Sequence, residues 1–367
     1  MRGKTNRSTT RRVRAALSAA VVVCAVTAAL PGAASAAPAG VAGDRAAGVE
    51  RVSVAADGSQ GDDNSADASI TPDGHRIVFS SSAKNLTPDQ TTGGDKVFVR
   101  DQQTRKTTRI GYLTTLQPPV ISGNGEYVAY TVKWMNSVRI RQYQVGTGKT
   151  ISADCWVSCD QPSMSSDGRY TALANLVSRT SPSQRIEVHD WTARTTATVA
   201  TLDHNQPSRP SISGDGRYVA YQDGEAGNVF VWDRTSGTTS DPIEGPDGAT
   251  LVQLSDNGTK VVYTSGSDTY VHDVPSDTDQ LVPGVRGVAI DPTGRYLLYA
   301  PSDTTGSSLT LRDLQTDTDK VVSDRPASAG AHAVSADGRD VVFQSTAGDI
   351  VPGGTNGKSH VFVRHFS

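Results

Sequence analysis

One short pattern returns seven times along this chain, and it restricts the fold more than any other feature. It reads "ASITPDGHRIVFSS" from residue 68, "PSMSSDGRYTALA" from 162, "PSISGDGRYVAYQ" from 210 and "HAVSADGRDVVFQ" from 332, with three looser copies between. A glycine recurs in every copy, at positions 74, 125, 168, 216, 258, 294 and 338. Asp-Gly or Asn-Gly between two runs of alternating apolar residues is a strong hairpin signal, because glycine accepts the positive φ of a tight turn. A second pattern follows the first, as in "VFVRDQQTRKT" from 97 and "VFVWDRTSGTT" from 229. Each unit therefore predicts four antiparallel strands, a to d from first to last. The a–b connection is the tight glycine turn, and the c–d connection is polar. Four-stranded units recurring every few tens of residues are propeller blades. The prediction is an all-β, seven-bladed propeller.

The seventh unit carries strands a to c, ending in "SHVFVRHFS", and has no strand d. Before the first unit stands "VERVSVAADG" from Val49, whose Arg51-Val52-Ser53 is similar to strand d of blade 1 at Arg109-Ile110-Gly111. The N-terminal strand is therefore predicted to complete the last blade and close the ring, which also covers two free sheet edges.

Residues 1–36 read as an export signal peptide. Six basic residues precede an uncharged apolar run, and Ala34-Ser35-Ala36 is a small-residue cleavage site. Residues 37–48 read as a flexible mature N-terminus and 49–367 as the propeller. The whole chain has a formal charge of −3, and residues 1–36 hold six of its positive charges and no acid, so the remainder carries −9. Such an acidic domain without a basic cluster excludes nucleic acid as partner. After signal removal no apolar run reaches the roughly 20 residues that span a bilayer. The expectation is a secreted, monomeric protein.

The pattern S-x-D-G-R-Y-V-A-Y followed by V-F-V-W-D-x-x-T-G resembles the TolB-type, WD-repeat-like β-propellers of bacterial exported proteins, and the resemblance covers essentially all of residues 49–367. It implies binding more than catalysis. The leading functional expectation is accordingly a non-catalytic platform that binds an extracytoplasmic protein or a cell-wall glycan through its loop face. Trp134, Trp156, Asp62 and Asp63 are its candidate contacts.

Other candidates come from the residues themselves. Cys155 and Cys159 in "DCWVSCD" are the two cysteines left after signal removal, and an exported pair defaults to a disulfide. Asp57, Asp62, Asp63, Asn64 and Asp67 lie in one Gly-rich connection and form a candidate calcium loop, since hard oxygens suit that ion. No cofactor is required by the platform reading. The alternative function is an extracellular saccharide lyase or hydrolase with a metal site at the propeller face, built on the loop histidines His204 and His332. The Asp residues that recur once per blade are assigned to turns, because a short carboxylate bonds nearby backbone N–H groups.

Overall fold

The computed structural model describes residues 47–89, 93–155, 157–178, 180, 183–202, 206–224, 227–303 and 308–367. These form seven antiparallel sheets in a ring. Blade 1 contains strands Ser65–Ile70, Arg76–Ser81, Lys96–Asp101 and Lys106–Ile110, paired in chain order. Blades 2 to 6 repeat this plan with innermost strands that begin at Val120, Ser158, Ser208, Thr250 and Val285. In blade 7, Asp340–Ser345 and His360–His365 are joined by the N-terminal strand Gly48–Arg51. That strand runs antiparallel to the last one, with Gly48 opposite His365 and Arg51 opposite Phe362. The predicted closure is thus observed. The innermost segment of blade 7 is short: Val334 bridges Val341, and the Val342 amide bonds the Ala333 carbonyl.

Each hairpin is assembled by the same local chemistry. In blade 4, Asp215 Oδ1 accepts the Arg217 amide at 2.9 Å and the Ser213 hydroxyl at 2.6 Å. Arg217 then reaches the end of strand c in its own blade and meets Asp233 at 2.7 Å. Arg169–Asp190 and Arg295–Asp313 repeat this pair in blades 3 and 6. The recurring acids therefore serve the turns and the strand ends, as their once-per-blade spacing predicts.

Packing between blades explains why the turn residue is glycine. A Cβ on Gly216, whose φ is +70°, would lie 2.4 Å from the Tyr170 ring of the preceding blade. Gly168 stands in the same relation to Tyr127, and Gly258 to Tyr218. The glycine satisfies two demands at once, a positive φ and a closely approaching aromatic ring. Within blades, cross-strand aromatic pairs fill the core, such as Phe79–Phe98 and Phe343–Phe362 with centroids 5.7 and 5.5 Å apart. Among the described residues no helix is long and apolar enough to cross a membrane.

Candidate functional site

The innermost strands converge on a central channel. At its open end, where the b–c and d–a loops lie, is a cavity of about 420 Å³ whose lining includes Asp67, Gln117, Gln161, Arg209, His332 and Gln344. Beneath it is a small cavity of about 20 Å³ lined by Gln253, Asp256 and the same His332. His332 is thus the floor of one chamber and the roof of the next.

Bulges aim these side chains. The pairing of strands a and b slips between Ala66 and Ser69, Asp160 and Ser163, and Ser208 and Ser211. Within these bulges Asp67, Gln161 and Arg209 adopt φ values of 55°, 54° and 53°. A bulge re-aims a side chain and leaves a backbone group without its ladder partner. Here a neighbouring blade supplies the partner. Gln161 Oε1 accepts the Arg209 amide at 2.7 Å, and Gln344 Oε1 accepts the Asp67 amide at 2.8 Å.

The strongest example is Gln253, which is 1% exposed. Its Oε1 accepts the amides of Ile290 in blade 6, at 3.2 Å, and of His332 in blade 7, at 3.1 Å. With the oxygen fixed by two donors, the Gln253 Nε2 group faces His332 Nδ1 at 3.3 Å. An amide NH₂ only donates, so Nδ1 accepts and the ring proton of the neutral imidazole sits on Nε2. Burial depresses the His332 pKa, which keeps the ring neutral, and the Asp256 carboxylate partly offsets this. Burial also raises Asp256 above the ordinary carboxylate range, opposed by His332.

The other sequence candidates lie elsewhere. Cys155 and Cys159 form a disulfide that joins the outermost strand of blade 2 to the innermost strand of blade 3. Trp156 and His204 lie outside the described residues. Trp134 stands at the end of strand b of blade 2, with Arg139 and Arg141 over its ring at 5.2 and 5.6 Å. The acids of residues 57–67 take separate partners. Asp57 accepts the Ser59 amide, Asp62 the Lys84 amide and Asp63 the Lys358 ammonium group. Asn64 accepts the Ser359 amide, and Asp67 turns into the channel mouth, where its Oδ2 accepts the Ser80 hydroxyl. Among the described residues no group of three or more His, Cys, Asp or Glu side chains could hold a metal ion.

Sequence reasoning did not single out Gln253, Asp256 or Arg209, yet a signal for the first two exists. Two positions before the turn glycine, six blades carry Pro72, Gly123, Ser166, Gly214, Pro292 and Ala336, whereas blade 5 carries Asp256. At the position of Gln253 the other blades carry Ser69, Val120, Ser163, Ser211, Ala289 and Ala333. Departures from a structural repeat mark the residues that the fold does not itself require.

No protein-family model matches the chain, and no curated protein matches it. Solved structures do. An oligogalacturonate lyase in complex with manganese aligns with a TM-score of 0.64 at 14% identity, covering 88% of this chain and 95% of that one. An oligogalacturonate lyase from Vibrio parahaemolyticus gives 0.63 at 12% identity, covering 88% and 97%. The β-propeller domain of Cps50 (Swd1) from Myceliophteria thermophila gives 0.56 at 10% identity, covering 83% and 97%. TolB from Acinetobacter baumannii matches over 72% of this chain and 64% of its own, at 13% identity and a TM-score of 0.48, too low to bear an argument.

At these identities the likeness is one of fold. The likeness to a solved β-propeller domain holds at that level, and no family model assigns the chain to a particular propeller family. The leading functional expectation is corrected here: two of these full-length matches are enzymes, which favours the saccharide-cleaving alternative over a non-catalytic platform.

Proposed function

We propose that the protein is a saccharide-acting lyase or hydrolase whose site is the open end of the central channel. The observation that carries this reading is the 420 Å³ cavity that brings a cation, Arg209, an acid, Asp67, and a half-buried imidazole, His332, to one volume. A cavity of this size with a few convergent polar groups is a small-ligand site by its form. The full-length match to two oligogalacturonate lyases supports the reading and suggests an acidic sugar as substrate.

Each group has a role suited to such a substrate. Arg209 is the group to neutralise a sugar carboxylate, because its planar fork fits that anion bidentately. Gln117 and Gln161 offer amide groups to ring hydroxyls. His332, neutral with its proton on Nε2, presents that N–H as a hydrogen-bond donor to a departing oxygen of the substrate. Asp256, one layer down beside the His332 ring, acts as a positioning residue. Asp67 is the proton acceptor of the mouth.

A manganese-type centre does not fit His332 in this arrangement, because Gln253 already occupies the Nδ1 lone pair and the proton sits on Nε2. No step is therefore routed through a metal.

The test is to incubate residues 37–367 with uronic-acid polysaccharides. The products distinguish the chemistries: a lyase forms an unsaturated uronate that absorbs in the ultraviolet, and a hydrolase releases reducing ends without that absorbance. The expected result is one of these signals, lost in Arg209→Ala and in His332→Ala. No product from any acidic or neutral saccharide would overturn the reading.

A further inference from the structure

The side of the ring carries a second groove, between blades 1 and 2 and away from the channel. It has a volume of about 450 Å³ and is lined by Tyr112, Trp134, Arg109, Arg141, Tyr143 and Gly148, among others. Six large hydrophobic side chains are exposed among the described residues, and two of them line this groove. They are Tyr112 at 76% and Trp134 at 37%, and Met135, next to Trp134 in the chain, is 81% exposed. A cluster of exposed apolar groups on a soluble surface marks an interaction site.

The cluster is paired with cations that an otherwise acidic protein places here. Arg109 lies over the Tyr112 ring at 4.4 Å, and Arg139 and Arg141 lie over Trp134. Stacking uses the guanidinium face and leaves its in-plane N–H donors for a planar anion. Arg109 gives some of those donors to Asp89, and Arg139 pairs with Asp154. Arg141 has no carboxylate partner among the described residues, and its buried Nε makes no hydrogen bond. The groove thus holds one charge-uncompensated guanidinium between two aromatic walls.

We infer that this groove is an accessory binding site for an acidic saccharide, separate from the channel site. The apolar C–H face of a pyranose ring packs against the negative face of an aromatic ring. A uronate carboxylate supplies the anion that Arg141 lacks. Paired aromatic walls with a cation on the floor match a chain in which each ring carries one such group. An acidic peptide has the charge and lacks the flat C–H faces. The inference extends the saccharide reading by adding a second point of attachment. Two sites on one chain raise the local concentration of a long substrate at the channel without any new contact there.

The experiment measures binding of a uronic-acid oligosaccharide to residues 37–367 in which Arg209→Ala removes the carboxylate-binding group of the channel. Its carboxyl-reduced neutral counterpart and a poly-glutamate peptide serve as controls. Expected are binding of the acidic saccharide, at least tenfold weaker binding of both controls, and about fivefold or greater loss in Tyr112→Ser and in Arg141→Gln. Tyr112 is largely exposed, so its variant keeps the fold even if the Arg141 variant does not. Equal affinity for the neutral counterpart, equal affinity for poly-glutamate, or unchanged binding in Tyr112→Ser would each overturn the inference. Because the channel lacks Arg209 throughout, a failure of the proposed cleavage leaves this result standing, and the reverse also holds.

Discussion

Gln253 holds His332 at two points: its Oε1 accepts the His332 amide at 3.1 Å, and its Nε2 faces His332 Nδ1 at 3.3 Å. One buried carboxamide thereby sets the backbone position, the ring orientation and the tautomer of a residue two blades away. Replacing it with alanine strands the amides of Ile290 and His332 in the interior, at about 1–3 kcal/mol each. Gln253→Ala is expected to lower the unfolding free energy by about 2–6 kcal/mol on that basis. Denaturant titration checks the stability, and nitrogen NMR of the imidazole checks the tautomer. An unchanged ring signal would separate His332 from Gln253.

Asp256 and His332 titrate in opposite directions. Burial raises the Asp256 carboxyl, so its contribution to stability is present below the ordinary carboxylate range and is lost as pH rises through the raised value. Asp256→Asn is therefore expected to keep or increase the unfolding midpoint at neutral pH while changing the pH profile of activity. A clear loss of stability in this variant would show that Asp256 is a structural residue.

Acid unfolding should run through the repeated ion pairs. The Arg217 side chain holds the Asp233 carboxyl down at about 2, and Lys260 does the same for Asp273, also at about 2. A depressed carboxyl contributes stability above its unfolded value, near 4, that is lost as pH falls toward 2. The half-buried His189 and His332 and the buried His360, whose pKa values desolvation lowers, add a loss that begins as pH falls below about 6.5. Midpoints recorded from pH 7 to 2 should fall in two stages, and Arg217→Gln should move the lower stage to higher pH.

The packing of Tyr170 on Gly216 separates two costs that glycine hides. Gly237 has φ +71° and open space around it, whereas Gly216 has φ +70° and the ring 2.4 Å from a built Cβ. Alanine at 237 is expected to cost about 1–2 kcal/mol for backbone alone. Alanine at 216 should cost roughly 1–3 kcal/mol more, since overpacking forces the ring to move. Equal losses would mean that the blades slide apart without penalty.

Removal of residues 37–54 should lower the midpoint of the entire ring in one cooperative transition. It deletes the strand paired to His360–His365, the buried Val52 and the Ser53 hydroxyl held 3.0 Å from His360 Nδ1. Calcium, by contrast, is expected to leave the midpoint unchanged, because the carboxylates of residues 57–67 take separate partners. A calcium-dependent rise would show that those side chains can converge.

The blade count, the strand order and the closure by residues 48–51 were legible in the amino-acid sequence because their causes are local. A hairpin needs a glycine at its turn and alternation beside it, and both are visible within a dozen residues, as at Ser213 to Tyr221. The disulfide between Cys155 and Cys159 was legible for the same reason, being a matter of near neighbours in the chain. The candidate site was legible only in part. His332 stood out as a loop histidine, but its meaning depends on Gln253 and Asp256 from blade 5, Arg209 from blade 4 and Asp67 from blade 1. Those residues share no segment, and only closure of the ring brings the first residues of the inner strands around one channel. The bulges that turn Asp67 and Arg209 into that channel depend on glutamine side chains of the preceding blade, which no local pattern encodes. Periodicity determined the frame, and the meeting of blades distant in the chain decided which side chains face the ligand.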